Sequence, residues 1–119
     1  MYSLLNKKPL ALRKDGKSLY QSYCSSCHRV DGEGTGKVFP ALNKNSLINQ
    51  KEILIKIILN GDQAIPLASK NESGQEMPSF DFLDDDQVAN ILTYIRTSWN
   101  NDAGEIKAKE VKNIREKLK

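Results

Sequence analysis

Two thiols and an imidazole stand together in Cys24-Ser25-Ser26-Cys27-His28. Near a helix end, an i, i+3 separation puts both sulfurs on one side of the turn, with the histidine directly after them. This is the Cys-x-x-Cys-His pattern of covalent haem attachment. Two thiols at that spacing reach the two vinyl groups on adjacent edges of a porphyrin, and His28 turns its imidazole to the iron from one side. Thioether bonds make the attachment permanent, so a small domain can hold the macrocycle with little surrounding protein. Two other uses of paired cysteines stand beside this one. A redox dithiol of the thioredoxin kind needs a βαβ context, and none is visible. A zinc site needs four ligands, whereas the chain has two Cys and one His and no suitable carboxylate cluster.

An iron held by His28 has one further axial position. With a single His in the chain, bis-histidine ligation is excluded, as is a second haem of the same kind. Apart from Met1, the sole methionine is Met77, in a long loop and followed by Pro78. Its thioether sulfur is soft, favours Fe(II) and raises the potential toward that of an electron carrier. The competing use of a lone Met is filling a gap in the core. A lysine ligand or a vacant position are the other options at the iron.

These residues must be placed by helices. Asp15 can cap a helix from about 16 to 26, with Leu19, Tyr20, Tyr23, Cys24 and Cys27 near one face. The glycines in Gly32-Glu33-Gly34-Thr35-Gly36 forbid regular structure and permit close backbone approach. A second helix is expected over about 50–60, where Ile53, Leu54, Ile57 and Ile58 recur at helical spacing and Gly61 follows as a stop. Residues 62–83 read as a long loop that ends in Met77-Pro78-Ser79-Phe80, and loops of that length are usually functional or disordered. Asp84 and Gln87 form a capping-box pair at the head of the clearest helix, with Val88, Ile91, Leu92, Ile95 and Trp99 on one stripe. Residues 103–118 give a last charged helix with Ile106, Val111, Ile114 and Leu118 along a weak apolar edge.

The expected organisation is a basic lead-in over 1–14, one domain over 15–102 and a charged helical extension over 103–119. The 119 residues, 39% hydrophobic and 28% charged, describe a globular chain rather than a disordered one. Aromatic residues make up 7%, and a planar cofactor would supply apolar surface that the chain lacks. A net charge of +3 is too small to imply nucleic acid, but it is unevenly spread. Residues 1–60 hold ten Lys/Arg against four Asp/Glu, and residues 61–102 hold two against eight. Such a dipole can orient a molecule on a charged partner. No stretch reaches the ~20 apolar residues needed to span a bilayer. The first residues lack an apolar run of signal-peptide length, so export is expected to have removed a signal.

With these motifs in hand, the chain resembles the class I c-type cytochromes of bacteria over roughly residues 12–102. The matching stretches are Gly16-Lys17-Ser18-Leu19-Tyr20 ahead of the attachment pentapeptide, Gly32-Glu33-Gly34, Phe39-Pro40-Ala41-Leu42, Asn60-Gly61, Met77-Pro78-Ser79-Phe80, and Leu92-Thr93-Tyr94-Ile95-Arg96-Thr97-Ser98-Trp99. The resemblance implies an all-α fold of three to five helices around one covalent haem c, with the N- and C-terminal helices crossing. It implies that the Pro40 carbonyl accepts from the second ring nitrogen of His28. It places Gly16 and Tyr20 at the crossing, against Leu92 and Ile95, and it lines the haem pocket with Leu42, Leu54, Ile58, Phe80 and Leu92. Arg29, Asn43, Lys44 and Trp99 become candidates for contacting the propionates.

The expected function is single-electron transfer between respiratory or periplasmic redox partners by a His28/Met77-ligated haem c. The chain therefore reads as an electron-transfer protein and not an enzyme. Partners would be redox proteins met transiently on a small interface, with neither nucleic acid nor a membrane span involved and the monomer favoured. Lys17, Lys37 and Lys44 are expected near the haem edge. In bacteria this covalent attachment takes place outside the cytoplasmic membrane, which implies the periplasm. One alternative is a haem-c domain or subunit of a larger oxidoreductase. Another is a gas- or peroxide-responsive protein in which Met77 leaves the iron; chemistry on peroxide would want a distal acid–base residue, and no spare His exists.

Overall fold

A computed structural model describes residues 9, 12–35, 41–43, 45–61 and 77–119, and the elements they form are helical. They are α1 (Gly16–Tyr23), α2 (Ser25–His28), a single 3₁₀ turn (Ser46–Asn49), α3 (Lys51–Asn60), α4 (Asp85–Thr97) and α5 (Ala108–Lys117). Apart from an isolated bridge at Thr35, no β-structure occurs among the described residues.

Local chemistry sets the boundaries. The Asp15 carboxylate caps α1 by accepting from the Lys17 amide at 3.2 Å. The first helix is shorter than the expected 16–26: Cys24, at φ −119°, ψ −32°, interrupts it, and one separate turn carries Ser25–His28. Arg29, at φ 66°, then ends that turn. At the head of α4 both halves of the capping box form. The Gln87 amide donates to Asp84 Oδ1 at 2.8 Å, and the Asp84 amide donates to Gln87 Oε1 at 3.1 Å. The same Gln87 side chain donates to the Arg13 carbonyl at 2.9 Å, which ties the lead-in to α4.

Helices α1 and α4 cross at a point where backbone touches backbone. A Cβ on Gly16 would stand 2.1 Å from the Asn90 carbonyl oxygen and 3.2 Å from Tyr94 Cβ. Above this contact, the fully buried Tyr20 ring lies 5.4 Å from Tyr94 and 5.2 Å from Trp99, centroid to centroid. The Tyr20 hydroxyl donates to the Arg29 carbonyl at 2.7 Å, so the crossing is joined directly to the residue after His28. Trp99 also closes over the loop that follows the attachment turn. Its indole N–H donates to the Val30 carbonyl at 3.0 Å and its ring covers Gly32, where a Cβ would come within 2.5 Å.

Helix α5 packs on α3 and α4. Ile106, Val111 and Ile114 join the same buried cluster as Leu19 and Tyr20, whereas Leu118 remains 38% exposed. Burial of side chains of this size stabilises by about 1.5–3 kcal/mol each. Polar bonds fix the angle: Thr93 Oγ1 donates to the Ile106 carbonyl at 3.1 Å and accepts from its amide at 2.9 Å. Arg115 pairs with Asp85 at 2.9 Å and donates to the Leu83 carbonyl at 2.7 Å. Because α5 covers it, α3 is buried on more than one face. Ile55 and Leu59 are buried alongside Leu54, Ile57 and Ile58, while Ile53 is only partly buried.

Candidate haem-binding site

The attachment turn is a single helical turn closed by the Cys24 carbonyl, which accepts from the Cys27 amide at 3.3 Å and the His28 amide at 3.0 Å. Cys24 is 8% exposed and His28 9%, with Cys27 partly buried; the two thiols are not bonded to each other. Burial, reinforced by the neighbouring Cys27, pushes the Cys24 thiol up to about 12. Catalytic dithiols have a thiol held low, whereas burial pushes Cys24 the other way.

From His28 the loop folds back under the turn. The His28 carbonyl accepts from the Gly34 amide at 3.0 Å, and the Gly32 carbonyl accepts from both the Leu42 amide at 2.7 Å and the Asn43 amide at 3.1 Å. Gly32 sits at φ 71°, a conformation other residues rarely adopt. Asn43 Nδ2 donates to the Asp31 carbonyl at 3.3 Å, so this propionate candidate is engaged with the loop itself. Leu42 is held from the far side as well, its carbonyl accepting from Asn101 Nδ2 at 3.2 Å. Arg29 is exposed. Pro40, Lys37 and Lys44 lie outside the described residues.

The Met77 segment is fastened to the C-terminus of α3. The last carbonyls of a helix have no partner within it, and here two of them find partners in the same tetrapeptide. Ile58 accepts from the Phe80 amide at 2.8 Å, and Leu59 accepts from Ser79 Oγ at 2.5 Å. Gly61, at φ 67°, turns the chain away so closely that a Cβ there would lie 2.6 Å from the Met77 carbonyl oxygen. Phe80, Leu54, Ile58, Leu92 and Cys24 belong to one buried cluster, against which Leu42, Met77 and Tyr23 pack.

Sequence reasoning misses what three positions do in this arrangement. Ser79 carries the hydroxyl that holds the methionine segment, Gly61 is a contact surface as well as a helix stop, and Tyr23 packs its ring 5.8 Å from Phe80. The signal for Ser79 is its place between Met-Pro and an aromatic residue, shortly ahead of a capped helix.

The donor set decides what such a site can hold. Two thiols, one imidazole and one thioether in apolar surroundings suit an iron porphyrin, whereas hard cations take oxygen ligands. Among the described residues, no group of three or more His, Cys, Asp or Glu is arranged so that it could hold a metal ion. The residues present therefore fit a haem bonded through sulfur.

Comparison with known proteins agrees. The cytochrome c family profile matches residues 13–99. Cytochrome c-552 of Thermus thermophilus is 32% identical over 114 residues, covering 87% of this chain and 86% of that protein. The cytochrome c subunit of the quinone alcohol dehydrogenase of Gluconacetobacter polyoxogenes is 32% identical over 105 residues, covering 85% of this chain. For the gluconate 2-dehydrogenase cytochrome c subunit of Pantoea cypripedii the figures are 32% over 105 residues and 84% of this chain. The chain spans only 22% and 24% of the length of these two subunits. With the helix crossing at Gly16, the Cys-x-x-Cys-His turn and a profile match over most of the chain, the protein belongs to the cytochrome c family, whose cofactor is a covalently bound haem c.

Proposed function

We propose that the protein is a single-electron carrier whose haem is bonded by Cys24 and Cys27 and ligated by His28 and Met77. The observation that carries this reading is the fastening of the Met77 segment to the end of α3, against the same core as the attachment turn. Haem iron supplies the one-electron Fe(III)/Fe(II) couple when bound. His28 and Met77 would remain ligands in both states, so the surroundings need little rearrangement as the charge changes. Leu42, Leu54, Ile58 and Phe80 would keep water from the site, and an apolar setting disfavours the extra charge of the oxidised form and raises the potential. The Pro40 carbonyl would orient His28.

The role is that of a carrier and not of an enzyme. The single His is spoken for, and Arg96 is buried with one nitrogen donating to the Ala103 carbonyl, so neither supplies a distal acid or base. Partners would be redox proteins met transiently, by a monomer, in the periplasm where the cofactor is attached. No described helix is long and apolar enough to cross a membrane. A second reading, a haem-c domain serving a larger oxidoreductase, is favoured by the likeness to cytochrome c subunits of two dehydrogenases. The test of the ligand pair is optical: Met77→Ala should abolish the weak far-red methionine-to-iron band of the oxidised protein and lower its potential. An unchanged spectrum rejects Met77.

A further inference from the structure

The segment after the anchored methionine ends in an exposed aromatic side chain. Phe82 is 64% exposed, yet its ring is held in place, 5.6 Å from Tyr23 and 6.0 Å from Phe80 between centroids. Tyr23 immediately precedes Cys24, and Phe80 is buried in the core. Three packed rings therefore run from the attachment turn to solvent. An apolar side chain that is exposed yet packed against two other rings suits a binding anchor, since that packing limits the conformational freedom lost on contact.

The charges around it are acidic. Asp81 is exposed beside Phe82, and Asp84, Asp85 and Asp86 open α4 just beyond. Two cations offset them in part: Lys14 pairs with Asp84 at 2.5 Å and with Asp86 at 3.7 Å, and Arg115 pairs with Asp85 at 2.9 Å. Four carboxylates against two cations leave this rim negative on a chain whose net charge is +3.

Resting on the electron-carrier reading above, we propose that Phe82 and its aspartate rim form the docking surface for a redox protein presenting an apolar face edged with Lys or Arg. Phe82 supplies the contact, and the rim orients the partner and suppresses acidic competitors. An interface of this kind is small and short-lived, as turnover of a carrier requires.

The cationic aromatic complex tris(phenanthroline)cobalt(III) imitates such a face, and hexacyanoferrate(III) is its anionic counterpart. Reduced full-length holoprotein is mixed with each. The expected result is that oxidation by the cobalt complex slows as salt is added, because attraction to the rim is screened over a Debye length of ~10 Å at 0.1 M. Phe82→Ala should lower that rate by about fivefold, the scale of losing an aromatic anchor, and Asp81→Asn should lower it too. Neither change should slow hexacyanoferrate. Titrating the oxidised protein with the cobalt complex, where no electron can pass, should shift the amide resonances of Asp81, Phe82 and Tyr23. A cobalt rate that rises with salt, as the net positive charge alone would give, overturns the proposal. So does a cobalt rate indifferent to Phe82→Ala, or resonance shifts confined to another face. Failure to react with either complex would instead reject the carrier reading itself.

Discussion

The amide of Phe80 donates to the carbonyl of Ile58 at 2.8 Å, and through that bond the end of α3 sets where Met77 stands. A helix terminus that would otherwise need water is completed by the segment bearing the proposed iron ligand. The position of the sulfur is thus a consequence of where α3 stops, and α3 stops at Gly61. Helix length, loop anchoring and ligand placement form one chain of cause.

Ser79 is the second fastener. Removing its hydroxyl in Ser79→Ala leaves the Leu59 carbonyl without that partner and should cost about 1 kcal/mol of stability. The loss should fall on the methionine segment. Far-red absorbance of the oxidised protein is expected to be lost sooner than in the parent as pH is raised or as temperature is raised, well before global unfolding. Coincident loss of the band and of helical signal would show that Ser79 stabilises only the fold.

Gly61 separates strain from contact. Gly61→Ala places a methyl 2.6 Å from the Met77 carbonyl at φ 67°, and should destabilise by about 1–3 kcal/mol. It should also make the iron easier for added imidazole to reach, seen as a tighter apparent Kd. Gly104, at φ 81° and with open space within 4 Å of where a methyl would sit, is the control. Gly104→Ala should cost about 1 kcal/mol from backbone strain alone and leave imidazole affinity unchanged. Equal effects at both glycines would remove the special role of the Gly61 contact.

Much of this architecture can be read from residue types, and the remainder cannot for identifiable reasons. Asp84 and Gln87 announce a helix start because a capping box is a local interaction, complete within four residues. The close approach at Gly16 and the stripe Val88, Ile91, Leu92, Ile95 are equally legible, the first from the family resemblance and the second from helical periodicity. Ile55 and Leu59 are buried although they fall outside the expected apolar stripe of their helix, which packs on α5 as well as on α4, and α5 looks from its sequence like a charged and weakly apolar segment. Arg96 reads only as a charged position within a helix. It is 3% exposed because residues beyond Trp99, itself at φ 51°, turn back over it, and no local pattern encodes that reversal. The Cys24 break in the first helix is also invisible, since nothing in Tyr23-Cys24-Ser25 opposes helix.

The docking of α5 should depend on acidity through Glu110. Its carboxyl is held below the ordinary value of 4.5 first by the Lys107 amide and further by Lys51, whose ammonium lies 3.2 Å away. A carboxyl depressed in the folded state contributes stability that is fully present above its unfolded value and is lost as pH falls through the folded value. Parent and Glu110→Gln should therefore differ most in melting temperature near neutral pH. The gap should narrow below about pH 4.5 and close in stronger acid. A gap that stays constant across this range would show that the charge on Glu110 does not hold α5.

The central claim is a haem bonded through both cysteines, and intact mass under denaturing conditions tests it most directly. Protein matured in a cell that attaches haem should weigh the polypeptide plus one haem, remain coloured after unfolding and offer neither Cys24 nor Cys27 to a thiol reagent. A colourless chain of bare polypeptide mass with two reactive thiols would contradict the account.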